Sequence, residues 1–249
     1  MPPEFCILIY LILYAMNFLK TISHALLHLF FPHVCIGCGS DIVSRETLLC
    51  LRCLNDLPET NFHAHEDNPV EKIFWGRLSI HAATSQFYFT KGSLIQHLMH
   101  QLKYRGNKEL GLQLGKLMGS YLKDTERFND VQALVPLPLH PSRERHRGYN
   151  QSVVICNGLA EAMGIPILKN IVIRTHNTET QTKKNRIERW QNIEGKFELK
   201  RSDAIAGKHV LLVDDVITTG ATLEACGSEL MKAGCSSVSV ATLCYAGYR

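Results

Sequence analysis

The chain has 249 residues, is 45% hydrophobic and 20% charged, and carries a formal net charge of +4. That composition belongs to a folded protein with room for one α/β domain and a small module, and it excludes a low-complexity or repeat chain. So small a positive charge does not by itself indicate nucleic acid, and nine cysteines, five of them (Cys6, Cys156, Cys226, Cys235, Cys244) scattered among apolar neighbours, suit a reducing cytoplasm better than a disulfide scaffold.

Residues 5–19 are almost continuously apolar. Fifteen residues fall short of the roughly 20 that cross a bilayer as a helix. Glu4 precedes them without Lys or Arg, and no small-residue cleavage site follows, so a secretory signal is not indicated. From Met16 the pattern becomes helical, with Phe18, Leu19, Ile22, Leu26, Leu29 and Phe30 on one stripe. The expectation is a leader helix over 1–31, with translation starting at Met16 and 1–15 a start-site artefact. A membrane-associating N-terminus is the competing reading.

A four-cysteine module is expected over 32–57. Cys35 and Cys38 form one Cys-x-x-Cys turn, Cys50 and Cys53 a second, eleven residues on. Two such turns can close a tetrahedron around Zn²⁺, so a structural zinc site is expected. A redox role would use one pair and leave the other idle. Residues 58–77 open on a polar, Pro-punctuated run and read as a linker. His63 and His65 within it read as solvated, because four cysteines already satisfy a zinc ion.

The remainder, 78–249, alternates strand and helix patterns. His81–Phe89 predicts a strand. Ser93 is placed to cap a helix with Leu94, Leu98 and Leu102 on one face, and a second helix carries Leu110, Leu114, Leu117 and Tyr121. Lys103 and Arg105 read as a solvated helix end. Val131–Leu139 predicts a strand that must leave the sheet at Pro136 and Pro138. The loop after it, His140–Gln151, holds Arg143, Arg145 and Arg147. It is either a basic surface turn or a cationic site offering charge-assisted, fork-like contacts. Arg174–Phe197 is long, polar and charged for a connection between core strands. It reads as a lid or as a solvated charged helix.

Val210–Thr222 carries the most chemistry. Val210, Leu211, Leu212 and Val213 suit a strand buried on both faces of a parallel sheet. Asp214 and Asp215 follow, then Thr218, Thr219, Gly220, Ala221 and Thr222 opening a helix. In open α/β sheets ligands sit beyond the carboxyl ends of the strands. Free helix N–H groups there suit a phosphate. The two aspartates would repel phosphate, so accepting hydrogen bonds from sugar hydroxyls is their natural task. The segment therefore reads as a site for a phosphorylated ribose. A response-regulator receiver domain would need several further βα units, and only 34 residues follow Asp215. After Thr222, Leu223, Cys226 and Leu230 form a helix stripe, and Val238–Cys244 returns as a buried strand.

Val210–Thr222 resembles the ribose-phosphate signature of the type I phosphoribosyltransferases, which bind 5-phosphoribosyl-1-pyrophosphate (PRPP). The four-cysteine ribbon, Pro-Leu-Pro-Leu at 136–139, the Arg143, Arg147-Gly-Tyr-Asn-Gln run and the Thr180-Gln181-Thr182 stretch give an order of features that resembles the ComF family from about Met16 onward. The resemblance implies a type I phosphoribosyltransferase-like α/β fold, a parallel sheet flanked by helices, with a small zinc ribbon before it. It implies PRPP with Mg²⁺ as ligand. Asp214 and Asp215 would lie on the ribose hydroxyls and Thr218–Thr222 on the 5′-phosphate. Arg143 and Arg147 would meet the pyrophosphate under a hood bearing Lys183, Lys184, Arg186 and Arg189. The expected activity is phosphoribosyl transfer in the cytoplasm to an acceptor the sequence does not name, linked to DNA uptake. The alternative is a non-catalytic module that binds single-stranded DNA or uptake machinery under nucleotide control.

Overall fold

The computed structural model describes residues 32–41, 47–175 and 197–247. These fall into two compact units divided between Leu54 and Asn55. In the first, the Cys35–Cys38 turn is closed by Gly39 N–H donating to the Cys35 carbonyl at 2.8 Å, with Gly39 at a positive φ of 74°. The second cysteine pair enters a short helix, α1 (Leu51–Asn55). The leader, its Met16 boundary and the hood cations Lys183, Lys184, Arg186 and Arg189 lie outside the described residues.

The second unit is built on four parallel strands in the order β1-β6-β5-β2: β1 (Ala83–Tyr88), β2 (Ala133–Pro136), β5 (His209–Ile217) and β6 (Ser237–Tyr245). β3 (Val172–Arg174) and β4 (Phe197–Leu199) form a separate antiparallel pair. Val210, Leu211, Leu212 and Val213 are all fully buried, as a strand covered on both faces requires. One covering cluster joins Phe74, Val210, Leu212, Leu223, Cys226, Leu230 and Val240. Each such side chain removed from water contributes about 1.5–3 kcal/mol.

Among the described residues the α-helices are, in chain order, α1, then α2 (Pro69–Lys72), α3 (Leu94–Tyr104), α4 (Lys108–Lys123), α5 (Pro141–Arg147), α6 (Gln151–Met163) and α7 (Ala221–Lys232). α4 and α6 pack backbone to backbone because glycines line both surfaces. A Cβ on Gly115 would come within 2.3 Å of the Ile155 carbonyl oxygen, and one on Gly158 within 2.1 Å of the Leu112 carbonyl oxygen. α6 in turn packs on β2 and β5, so this close fit sets where its first turn meets the sheet.

Several local expectations change. The 58–77 stretch, expected as a linker, packs into the second unit. Thr60 N–H donates to Gln86 O at 3.0 Å, Asn68 Nδ2 donates to Ala83 O at 2.8 Å, and Val70 and Phe74 are fully buried. Ser93 precedes α3 but makes no side-chain cap; its hydroxyl donates back to Thr90 O at 2.6 Å. Met118 rather than Leu117 continues the fully buried face of α4. The basic loop after β2 contains helix α5. Pro141 fits its first turn, the His140 ring accepts from Ser142 N–H at 3.2 Å, and Gly148 at φ 78° closes it.

Candidate functional site

Asp214 and Asp215 stand at the carboxyl end of β5, and a different helix reaches each. Ser152, in the first turn of α6, donates its hydroxyl to Asp214 Oδ1 at 3.1 Å. Asn150 places that serine: its Oδ1 accepts Ser152 N–H at 3.0 Å and its Nδ2 donates to Leu137 O at 2.9 Å, tying α6 to the end of β2. Lys103, in the last turn of α3, holds Asp215 Oδ2 at 3.1 Å. The expected solvated helix end is thus an ion pair within the site. Burial pushes the Asp214 carboxyl up to about 7, and the charge of Asp215 pushes the same way. Lys103 and the Ser152 hydroxyl oppose them.

The turn after β5 carries Thr218, exposed, and Thr219, half-buried, into Gly220 at φ 70°, with α7 beginning at Ala221 and Thr222. Gly220 is required twice. Its φ lies in the left-handed region, and a Cβ there would come within 2.5 Å of Ile73 Cγ2. Behind the turn, Arg77 Nη1 donates to the Thr219 carbonyl at 3.1 Å and to the Ile73 carbonyl at 3.1 Å, while Nη2 pairs with Glu224 of α7. The carbonyls are thereby taken up on the protein side, and the first N–H groups of α7 have no intrahelical acceptor.

The cationic helix α5 lies at the carboxyl end of the neighbouring strand β2. Arg147 Nη1 donates to Gln151 Oε1 at 2.8 Å, and its guanidinium lies 5.7 Å from the centre of the Tyr104 ring. Arg174, buried on β3, has its pKa drawn down by burial and then by the charge of Arg143, with Asp214 opposing. Arg143, Arg174 and Asp214 therefore share one electrostatic neighbourhood. The structure seats Asp214 and Asp215 on Ser152 and Lys103, backs the 218–222 turn with Arg77, sets Arg147 on Tyr104 and puts Arg143 within electrostatic reach of Arg174, so that Lys103, Ser152, Arg77, Tyr104 and Arg174 are additions to the expected set. Of the additions, Ser152 alone had a local signal, two residues after an Asn at a helix start. The others act across the fold.

In the first unit the sulfur atoms of Cys35, Cys38, Cys50 and Cys53 all lie within 4.8 Å of one another, so the four can hold a metal ion such as zinc. Cys50 N–H points at Cys35 Sγ (3.3 Å) and Cys53 N–H at Cys50 Sγ (3.4 Å). Burial resists ionisation of Cys35, but backbone N–H groups of Cys50, Cys38 and Gly37 outweigh it and bring the thiol down to about 6. Burial and its three sulfur neighbours push Cys53 up. Four clustered thiols, with backbone donors already directed at Cys35 and Cys50, fit a closed thiolate site.

Comparison with known proteins decides the family. The phosphoribosyl transferase domain family matches residues 150–249. Competence protein F of Haemophilus influenzae is 28% identical over 222 residues, covering 85% of this chain and 96% of its own length. The DNA utilization protein YhgH of Escherichia coli K12 is 31% identical over 215 residues, covering 85% and 89%. The chain belongs to the ComF family. Its second unit is the type I phosphoribosyltransferase-like fold of that family, a parallel sheet flanked by helices, and the four-cysteine unit precedes it. Among solved structures, the glutamine PRPP amidotransferase of Bacillus subtilis, complexed with ADP and GMP, is 22% identical, covers 57% of this chain and 30% of its own, and superposes with a TM-score of 0.39. Among the described residues no helix is long and apolar enough to cross a membrane.

Proposed function

We propose that this ComF-family protein binds PRPP at the carboxyl end of β5 and β2 and transfers its phosphoribosyl group to an acceptor with release of pyrophosphate. The observation that carries the reading is the holding of Asp214 and Asp215 at the carboxyl end of β5, each carboxylate by its own partner, just before the turn that opens α7. The N–H groups of Ala221 and Thr222 and the hydroxyls of Thr218, Thr219 and Thr222 receive the 5′-phosphate. Asp214 and Asp215 accept hydrogen bonds from the ribose hydroxyls, a task for which Asp214 must be ionised. Arg143 and Arg147 meet the pyrophosphate. As the acceptor's lone pair bonds to the anomeric carbon, the bond to pyrophosphate breaks and its electrons leave with that group, where the arginines offset the growing charge. Mg²⁺ bound with PRPP supplies further neutralisation of the pyrophosphate.

The four cysteines hold structural zinc, and the free thiols of the second unit fit the cytoplasm. Chelation at neutral pH is expected to release one zinc per chain, read with a colorimetric indicator. No release from protein purified without chelator would remove the zinc site.

The test of the main reading is calorimetric titration of PRPP with Mg²⁺ into wild type and an Asp214→Asn, Asp215→Asn double variant. Binding by wild type and none by the variant supports it. Equal binding by both would place the ligand elsewhere, and no binding by wild type would end the reading.

The second reading is a nucleotide-regulated module handling single-stranded DNA or the uptake machinery, favoured by relatives named for competence and DNA utilization. DNA binding that falls steeply with salt and survives saturating PRPP would favour it, because the phosphate contacts would then lie outside the ligand site.

A further inference from the structure

The last turn of α3 touches both halves of the candidate site. Lys103 holds Asp215 Oδ2 at 3.1 Å. The next residue, Tyr104, is 60% exposed, and the Arg147 guanidinium lies 5.7 Å from its ring centre. A third contact fixes the turn itself: the buried Tyr149 hydroxyl donates to the Leu102 carbonyl. Lys108, just beyond, places its Nζ 5.2 Å from the centre of the Tyr149 ring. Residues 102–108 and 147–151 therefore interlock. A long arginine side chain ordinarily samples many rotamers. Here Arg147 is held on two sides, by Gln151 Oε1 at 2.8 Å and by an aromatic ring.

We propose that the last turn of α3 is a positioning element joining the two halves of the site, with Lys103 setting Asp215 for the ribose and Tyr104 setting Arg147 for the pyrophosphate. The proposal rests on the phosphoribosyl reading above. Tyr104 acts through Arg147 and is a positioning residue. Lys103 acts in two ways: it fixes the carboxylate, and it offsets negative charge where an anionic sugar phosphate must approach.

The experiment measures calorimetric affinity for pyrophosphate and for ribose 5-phosphate separately, in wild type, Tyr104→Ala, Tyr104→Phe and Lys103→Met. Tyr104→Ala is expected to weaken pyrophosphate by about fivefold, the scale of a lost exposed cation–π contact, and to leave ribose 5-phosphate unchanged. Tyr104→Phe keeps the ring and is expected to match wild type. Lys103→Met is expected to weaken ribose 5-phosphate and leave pyrophosphate within twofold of wild type. A Tyr104→Ala variant that binds pyrophosphate like wild type overturns the proposal, as does one that loses both ligands together with its melting temperature. Wild type that binds neither ligand overturns the phosphoribosyl reading itself, a failure distinct from that of the positioning turn.

Discussion

The two ends of the same sheet carry similar polar groups and put them to different ends. At the carboxyl end, Asp214 and Asp215 meet Ser152 and Lys103 beside an open helix start. At the amino end, His209 Nε2 lies 2.9 Å from Ser239 Oγ and His209 Nδ1 lies 2.9 Å from Asp130 Oδ1. On paper that is a serine, a base and an orienting carboxylate, the arrangement of a hydrolase. Yet Ser239 is completely buried in β6, and the His81 ring closes on His209 with centres 4.9 Å apart. No reacting atom can reach the serine. A catalytic-looking line of side chains is a site only where the backbone leaves room for a ligand. At the carboxyl end strands stop and helices begin, which is where ligands bind in open α/β sheets.

The most damaging way to break the carboxyl end is through its scaffold. Gly158→Ala drives a methyl group into the α4 backbone and should cost about 3 kcal/mol or prevent folding. Calorimetric melting checks this, and a variant melting like wild type would show that α6 is free to shift. Ionisation separates the ends more finely, because burial drives both groups neutral with opposite consequences. Asp214 has its folded-state pKa raised from 3.8 to about 7, so its stabilising contribution is present below pH 3.8 and is lost as pH rises through 7. His209 has its pKa lowered from 6.5, by burial against the opposing pull of Asp130, so its contribution is present above pH 6.5 and is lost as pH falls below that value. Asp214→Asn should therefore stabilise the protein at pH 8 and hardly at all at pH 4. The same gain at both pH values would contradict the buried-acid account. In the proposed role Asp214 must ionise to accept from the ribose, so ribose 5-phosphate should bind more tightly at pH 8 than at pH 6.

The smallest effects come from one substitution made at each end. Ser239→Ala takes the partner from the buried His209 Nε2 and should cost about 1 kcal/mol of stability while ligand affinity stays unchanged. Ser152→Ala should do the reverse: ribose 5-phosphate affinity falls a few-fold, as Asp214 loses a donor to its charged form, and melting barely moves. Ligand titration and melting of both variants test the contrast. If Ser239→Ala altered binding, the two ends would not be independent.

What could be read from the sequence follows this division. The buried strand, the acid pair, the glycine turn and the paired cysteines each depend on neighbours in the chain, so their pattern is visible in order. Lys103 and Arg77 are legible only in space. Each looks like an ordinary cation beside apolar residues, and its partner lies more than a hundred residues away. The α4 glycines Gly111, Gly115 and Gly119 recur every four residues. That spacing weakens an apolar stripe rather than announcing a close contact, so the periodicity favoured Leu117 where Met118 completes the buried face. Helix α5 was hidden by its proline and its charges, which signal a loop unless Pro141 is recognised as a first-turn residue.

Arg77 carries one more consequence. Its hold on the Thr219 carbonyl reaches across 142 positions of the chain, and Lys103 reaches Asp215 from outside the 150–249 segment that matches the phosphoribosyl transferase family. That segment holds the signature, with Asn150 and Ser152 behind Asp214, but neither Lys103 nor Arg77. The recognisable domain is therefore not an autonomous part: excised at its family boundary or grafted onto another chain, it would keep its motif and lose its grip.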